Sequence, residues 1–578
     1  MRRPILALLL TFSLLATYAQ HTTSYRFPVR DVSALYAASF AEIRPNHFHS
    51  GIDIKTGGVE GKAVVAVADG YVVRMAVAPG GYGRVLYIAH NDGTTSVYAH
   101  LKQFRQDMES YLRYCRYRQG RSNIDIVCKP TQFPVHAGDT IALSGNSGAS
   151  MGPHLHFELR ESESQRTLNT LARGLFPVHD TTPPRLMRLH YVEIDTLRGI
   201  AQHARLRSYD IVVANGGGYQ LRQTQPIAVG RKGYFIVECS DRKDQVTNTF
   251  GIYHIALSID SVVCYEYRMD GFLFSDTRYC NAVSYYPLQL SSRNEVFRLT
   301  CLEGCPTQFY TQLKNRALLT THAGERHQLH LVVEDECGNT SQLTFRTAGK
   351  PDEDCFRATA MSDTLPIVRY DRDFTHEQDG IRVSIPAGTL YESCFYRQRP
   401  STLPRPNVSS IDICSSGVEI LDVRTPLHSY ATVSTDISFV PDSLRSHTVW
   451  ASLSSKGVLR YEGGTLEGER LTLSTRSLGT FYLVTDTVRP TLRPHFTEAE
   501  LGRTSAITFS VRDNFSGIKS IACTIDGRMA IVEENRMKGT FTHYFDDEIF
   551  GRQRDHTLCI VVTDGAGNAT TWKRTYRR

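Results

Sequence analysis

His154 and His156 stand two residues apart in GPHLHFELR, residues 152–160. Side chains at i and i+2 of an extended strand share a face, so both imidazoles look into one space. Leu155 and Phe157 then face a core, which makes a half-buried strand with one chemical face. Upstream, RPNHFHSGIDIKT at 44–56 places His49 and Asp53 four residues apart in a glycine-containing, β-branched context that favours strand or loop over helix. The even spacing again puts both on one face. One carboxylate with histidines is the ligand set that zinc prefers: three protein ligands and an open fourth position for water. Two neutral imidazoles and one carboxylate leave net positive charge on the metal, which lowers the pKa of bound water toward ~7 and polarises a carbonyl. That is the chemistry of metal-assisted amide hydrolysis. A third piece, SVYAHLKQF at 96–104, carries Tyr98 and His100 on one strand face by the same alternation. A histidine that is not a ligand is what such hydrolysis needs, to take a proton from water or to hydrogen-bond the oxyanion. Spacing alone does not say which of His154 and His156 is the ligand.

The elements that must position these residues read as strands. Residues 27–177 are rich in glycine and valine in short alternating runs, with turns at Asp69-Gly70, Gly80-Gly81 and Asn91-Asp92-Gly93, the pattern of an antiparallel sheet. One segment of helical period, 103–119, interrupts it. DTTPPR at 180–185 marks a boundary, because paired prolines favour an extended linker. Beyond it the chain is β-rich and partly repeated. GIYHIALSID at 251–260 lines up with GIKSIACTID at 517–526, and VVEDECGNTS at 332–341 with VVTDGAGNAT at 561–570. Two copies of one module explain this, and their short strands between turns suit an immunoglobulin-like sandwich. The D-x-x-G-N element in each copy reads as a hairpin turn in preference to a metal loop. A third β module, without a repeat partner, runs from about 381 to 490, and breaks are expected at 349–364 and at the proline-rich 399–407.

Three ordered motifs between about 44 and 160 resemble the lysostaphin-like (LytM-type) zinc metallopeptidases, which cut peptide cross-links of peptidoglycan: H-x-x-x-D at 49–53, Y-x-H-L at 98–101, and G-x-S-G with G-P-H-L-H-F-E between 145 and 158. The resemblance implies one zinc ion held by His49, Asp53 and His156, with His100 and His154 as the catalytic histidines. It also implies a small antiparallel core of duplicated-hybrid-motif type with the metal at the floor of a groove. No ligand of the motif is missing. His47 shares a face with His49 but lacks a carboxylate partner at that spacing. His90 reads as a solvated strand end, and Glu158 as either an orienting partner of a ligand or a charged strand end.

The expected organisation is a signal peptide at 1–19, a zinc metallopeptidase domain at 20–180 with an insertion at about 104–133, immunoglobulin-like modules at 181–348 and 486–578, and a β-rich module at 365–485. The fold class is mainly β: an antiparallel peptidase core followed by immunoglobulin-like sandwich modules. MRRPILALLLTFSLLATYAQ has the basic start, apolar run and small residues of a secretory signal. No later stretch approaches the ~20 apolar residues of a spanning helix. The protein is therefore expected in the periplasm or cell envelope, with the medium as alternative. The formal charge of +6 comes without basic runs, which points away from nucleic acid. The expected partners are peptidoglycan peptide stems and, for the β-rich tail, a cell-envelope protein. Thirteen cysteines in an exported chain imply some disulfides and at least one unpaired thiol; Cys115 with Cys128 in the insertion is one candidate pair, and Cys301 and Cys305 read as a disulfide or as buried thiols. The insertion leaves the sheet just after His100, so it is expected to wall the groove. All five site candidates precede Arg160, so residues 20–180 are expected to fold and work alone. The function expected is an exported zinc endopeptidase; the alternative is a non-catalytic wall-binding or amidase-activating protein that uses the same groove.

Overall fold

The computed structural model describes residues 24–358, 365–403, 406, 408 and 410–578. The expected signal peptide lies outside the described residues, as do parts of the 349–364 and 399–407 breaks. The chain is mainly β and its sheets are overwhelmingly antiparallel. No helix of the described residues is long and apolar enough to cross a membrane.

The N-terminal sheet runs through β1 (Tyr36–Ala38), β2 (Ile52–Lys55), β3 (Gly70–Val77), β4 (Arg84–His90), β5 (Thr94–Ala99), β6 (Ile124–Val127) and β7 (His154–Glu161), in the spatial order β1-β2-β7-β5-β4-β3-β6. Strand β7 is central to the site because it lies between β2 and β5, pairing His156 with Asp53 on one side and with Ala99 on the other. Its alternate residues Leu155 and Phe157 are fully buried, so the packing face anchors the strand that carries the histidines. Period two is not kept everywhere. In β3 both Val72 and Met75 are buried although three apart, because the register against β4 shifts between Val72 and Arg74.

The helical stretch forms α1 (Gln106–Gln119), three residues shorter at its start than its periodicity predicts, because Gln103–Phe104 joins a second small sheet. Met108, Leu112 and Cys115 recur at helical spacing and turn one face into the core, and Gly120 ends the helix in the left-handed region. Two places in the fold receive the insertion. It returns as β6 on the edge of the sheet opposite β2, while the outer face of α1 meets the C-terminal module. There Arg113 grips Asp546 through two contacts of 2.5 and 2.6 Å, Arg116 meets Glu533 at 2.5 Å, and Tyr117 packs into the C-terminal core.

Between 185 and 349 a thirteen-stranded sheet wraps one large core. The repeat copy does not split into two separate sheets here, because Arg207–Val213 and Tyr219–Leu221 bridge the halves, the latter pairing in parallel with Thr340–Gly349. Residues 367–485 form a five-stranded and a six-stranded sheet over a shared core, and the last copy packs two four-stranded sheets face to face. These cores interlock. Phe40 and Phe48 from the N-terminal region sit in the second core, with ring centroids 5.4 and 5.5 Å from Phe272. Strand Gly271–Phe272 in turn extends the N-terminal sheet through Thr167–Leu168. Tyr391 joins the same second core, and Ala566 joins a core of the 367–485 sheets.

All thirteen cysteines are free thiols; Cys115 and Cys128 are buried and unbridged, and Cys301 and Cys305 take the buried-thiol alternative. Phe48 bears against the expectation that residues 20–180 stand alone. It is 1 % exposed in a core that belongs chiefly to the following segment, and it is the residue before His49. Phe48→Ala is expected to cost roughly 3–5 kcal/mol and lower the thermal midpoint. A 20–180 fragment is expected to elute as aggregate, with Phe40 and Phe48 uncovered; a monomeric, cooperatively melting fragment would contradict this.

Candidate metal centre

His49 lies in the bend between the Phe48 anchor and β2, and residue 51, at the start of the approach to β7, is glycine. A Cβ on Gly51 would stand 2.2 Å from the Phe157 carbonyl oxygen, so no side chain fits between β2 and β7. This contact brings Asp53 of β2 beside His156 of β7. The His49 Nε2, Asp53 Oδ1 and His156 Nδ1 atoms then form a triangle with sides of 3.1, 2.9 and 3.0 Å. All three residues are buried.

Protons decide what the triangle means. The Nδ1–H of His49 donates to the Ser39 carbonyl at 2.6 Å, so its Nε2 carries the lone pair. The Nε2–H of His156 donates to Glu158 at 2.8 Å, which leaves its Nδ1 as a lone pair. Three acceptors therefore face one point, an arrangement that repels unless something positive sits among them. Tetrahedral zinc ligands at 2.0–2.1 Å stand about 3.3 Å apart, only slightly wider than this triangle, and two imidazoles with one carboxylate suit zinc. The residues fit the metal. Without it a proton takes the place: burial lowers His156, but hydrogen bonds and charge from Asp53 and Glu158 outweigh burial and raise it to about 9. Burial lowers His49, against the pull of Asp53. Burial opposes the charge on Asp53 too, yet the imidazoles around it hold that carboxyl well below the usual range. Metal uptake at this centre therefore displaces a proton.

The orienting shell is largely built from residues that the sequence reading left open or did not single out. Glu158 is fully buried and accepts from His156, Ser50 (2.6 Å), Tyr82 and Arg160 (2.7 Å), which identifies it as the partner that fixes His156. Burial works against its ionisation, but Arg160 and His156 bring it down to about 2. Arg44 reaches the second oxygen of Asp53 at 3.3 Å. Arg160 was legible: His154, His156, Glu158 and Arg160 follow the same alternation along β7. Tyr82, in the GGYGR turn, and the Ser39 carbonyl carry no sequence signal, because they arrive through folding.

His100 and His154 stand beside the triangle with ring centroids 4.8 Å apart, and His100 is 5.8 Å from His156. Strand β5 ends at Ala99, and His100 takes the left-handed conformation (φ 58°), a costly state for a non-glycine residue. The expected sharing of a face by Tyr98 and His100 therefore fails. Tyr98 is fully buried, its hydroxyl accepting from the Val67 amide, while His100 turns toward the metal centre. The Nδ1–H of His100 donates to the Ser147 carbonyl at 2.8 Å and that of His154 to the Gly152 carbonyl at 2.8 Å. Each thereby presents Nε2; that of His154 is 3.5 Å from Asp53. Burial, then His156 and His154, lowers His100 to about 3. His47 is exposed and bonded to the Pro45 carbonyl, outside the cluster. His90 is buried between the Asp69 carbonyl and Ser96, which corrects the reading of a solvated strand end.

The resemblance carried by the motifs is borne out by comparison. Residues 47–112 match the model described as Peptidase family M23, a span that includes His49, Asp53 and His100 but stops before His154 and His156. Residues 366–486 match a Zu5-like domain. Over 112 residues the chain is 34% identical to a DD-carboxypeptidase/endopeptidase Mpg of Neisseria meningitidis, covering 19% of this chain and 20% of that protein. Over 112 residues it is 37% identical to a murein hydrolase activator NlpD of Salmonella dublin, covering 19% and 23%. The chain thus spans about a fifth of the length of such relatives. The catalytic domain of lysostaphin from Staphylococcus simulans aligns at 21% identity and a TM-score of 0.19, over 25% of this chain and 92% of that one.

Glu158→Gln keeps the shape of its side chain but weakens its hold on His156 and leaves Arg160 without a counter-charge. It is expected to lower zinc affinity about 10–100-fold, read by competition with a chromophoric chelator. Unchanged affinity would mean that Glu158 does not orient His156.

Proposed function

We propose that this protein is an exported zinc metalloendopeptidase that hydrolyses peptide cross-links of peptidoglycan, with His49, Asp53 and His156 as ligands and His100 and His154 as catalytic residues. The observation that carries the reading is the convergence of three lone pairs on one point beside two further imidazoles. The match to Peptidase family M23 supports it. A zinc ion held there would supply Lewis-acid chemistry, polarising a peptide carbonyl and activating water at neutral pH.

The protein's own groups divide the remaining work. His100 is neutral at physiological pH, and its Nε2 accepts a hydrogen bond from the attacking water and so orients it. His154 presents Nε2 next to Asp53, where it takes the proton of the water and returns it to the leaving amine. Asp53 and the buried pair of Glu158 and Arg160 keep the ligands in place through the cycle, and no covalent intermediate is needed. In this reading the peptidase unit spans 20–180, and the 181–348, 365–485 and 486–578 modules hold and position it, with a cell-envelope protein as partner. The secretory leader of the sequence supports a periplasmic or envelope location.

A second reading is favoured by the likeness to a protein named as a murein hydrolase activator. In it the groove recognises wall peptides or an amidase and does no chemistry. An intact ligand triangle argues for the first, because recognition has no need of three converging acceptors.

His49→Ala, Asp53→Ala and His156→Ala are each expected to lose zinc and hydrolysis together. His100→Ala and His154→Ala are expected to keep the metal while losing about 10²–10⁴-fold in turnover. Metal content by mass spectrometry and muropeptide digestion read by mass spectrometry check both. Hydrolysis by zinc-free His156→Ala would exclude the mechanism, and zinc-loaded wild type that leaves muropeptides intact would favour the activator reading.

A further inference from the structure

The two repeat copies are entered by the same step. DTTPPR at 180–185 and DTVRPT at 486–491 lead into their first strands, Arg185–Leu197 and Thr491–Pro494. Each copy then places one aspartate directly after a core strand, Asp241 after Lys232–Ser240 and Asp513 after Ala506–Arg512. A third sits at the D-x-x-G-N hairpin, Asp335 and Asp564. The hairpin asparagine clamps the entry identically in both. Asn339 Nδ2 donates to Asp335 (2.8 Å) and to the Asp180 carbonyl (3.2 Å); Asn568 Nδ2 donates to Asp564 (2.9 Å) and to the Asp486 carbonyl (2.9 Å). The two sets of aspartates are therefore structural equivalents.

They differ in what faces them. In the first copy the buried Lys243 ammonium lies 2.9 Å from Glu336, 3.6 Å from Asp180 and 3.7 Å from Asp241. The residue in that position of the second copy, two after Asp513, is Phe515. Among the described residues no lysine, arginine or histidine forms an ion pair with Asp486, Asp513 or Asp564. Yet these three bring carboxylate oxygens within 4.8 Å of one another. Asp486 and Asp564 are fully buried. Asp486 Oδ2 and Asp513 Oδ1 are sealed from solvent with no hydrogen-bond partner. The opposite oxygen of Asp513 is pinned by the Phe515 and Gly517 amides at 3.0 and 2.8 Å, which holds the unpartnered one in place. Burial raises Asp564, and Asp513 and Asp486 raise it further. Buried carboxylates in this number require a counter-charge. The first copy supplies one covalently, and the second supplies none.

We propose that Asp486, Asp513 and Asp564 bind a divalent cation of the calcium class at the junction between the Zu5-like region and the C-terminal module. The donors are hard oxygens with no nitrogen or sulfur among them, which selects calcium over zinc or copper. Asp486 is the last residue of the Zu5-like match, so the cation ties the strand Gly479–Thr485 to the final copy. That copy grips α1 through Glu533 and Asp546, so the cation also steadies the hold of the tail on the N-terminal region. The D-x-x-G-N element is a hairpin turn, as its sequence predicts, and contributes a ligand as well.

The test titrates calcium chloride into full-length, decalcified protein by calorimetry, with thermal melts alongside. Wild type is expected to bind one equivalent with a dissociation constant at or below the millimolar range of extracellular calcium modules, and its midpoint is expected to rise. Asp513→Asn is expected to bind at least tenfold more weakly while keeping its zinc. Phe515→Lys places an ammonium two residues after the strand-end aspartate, as Lys243 stands after Asp241, and is expected to fold, ignore calcium and melt as high as calcium-loaded wild type. If Asp513→Asn does not fold, Phe515→Lys decides. Absence of binding by wild type, a calcium response that survives Phe515→Lys, or an equal response to magnesium chloride would each overturn the assignment.

Discussion

Two carbonyl and carboxylate acceptors, the Ser39 backbone oxygen and Glu158, determine the chemistry of the N-terminal centre. Each takes the N–H of one imidazole, at 2.6 and 2.8 Å, and so commits the other nitrogen of His49 and of His156 to be a lone pair. With Asp53 between them, the three acceptors cannot coexist without a positive charge. The remaining architecture can be understood as holding that unfavourable arrangement together: Gly51 admits the close approach of β2 to β7, the alternate residues of β7 bury Leu155 and Phe157, and Arg160 neutralises Glu158 out of water. Where no metal sits, a proton on His156 supplies that charge.

That packing is spread over the whole chain. Phe48, covalently next to His49, is seated against Phe272 and Phe309, and Glu295 from the same neighbouring core accepts the amides of Ile43 and Ile252 at 2.7 and 2.9 Å. Burial of Glu295 pushes it up to about 8, despite those amides. The hairpin that leads into His49 is thus held from outside the N-terminal sheet. At the other end, Arg84 contacts both Glu109 of α1 and Glu533 of the C-terminal module, at 2.6 and 3.0 Å. The chain closes on itself: N-terminal sheet, second core, Zu5-like region, final sandwich, and back to the insertion. The insertion is a docking surface for the tail.

The repeat copies show how one scaffold tolerates two electrostatic solutions. An entry aspartate, a strand-end aspartate and a hairpin aspartate recur with the same asparagine clamp, and one copy answers their charge with Lys243. A buried lysine and a bound divalent cation are alternative answers to the same desolvated carboxylates, and the copies differ there at Lys243 against Phe515 and at Glu336, the nearest partner of Lys243, against Gly565.

Much of the centre was legible in the order of residues because strand alternation is a local rule. The shared face of His154 and His156, the buried partners Leu155 and Phe157, and the turns of a glycine-rich antiparallel sheet all follow from period two. Motif order then brought His49, Asp53 and His100 into the same reading. Tertiary structure decided what no local rule contains. His100 breaks the alternation with a left-handed backbone, so Tyr98 goes to the core and His100 to the site. His90, at a strand end, is buried by a hydrogen bond across to Ser96. The cysteines stand as free thiols, whatever their count suggests. Above all, the proton positions that fit the centre to a metal depend on Ser39 and on the Tyr82, Ser50 and Arg160 contacts to Glu158, which join residues up to 108 positions apart. Local sequence sets which face a side chain takes; only the folded chain sets which acceptor waits there.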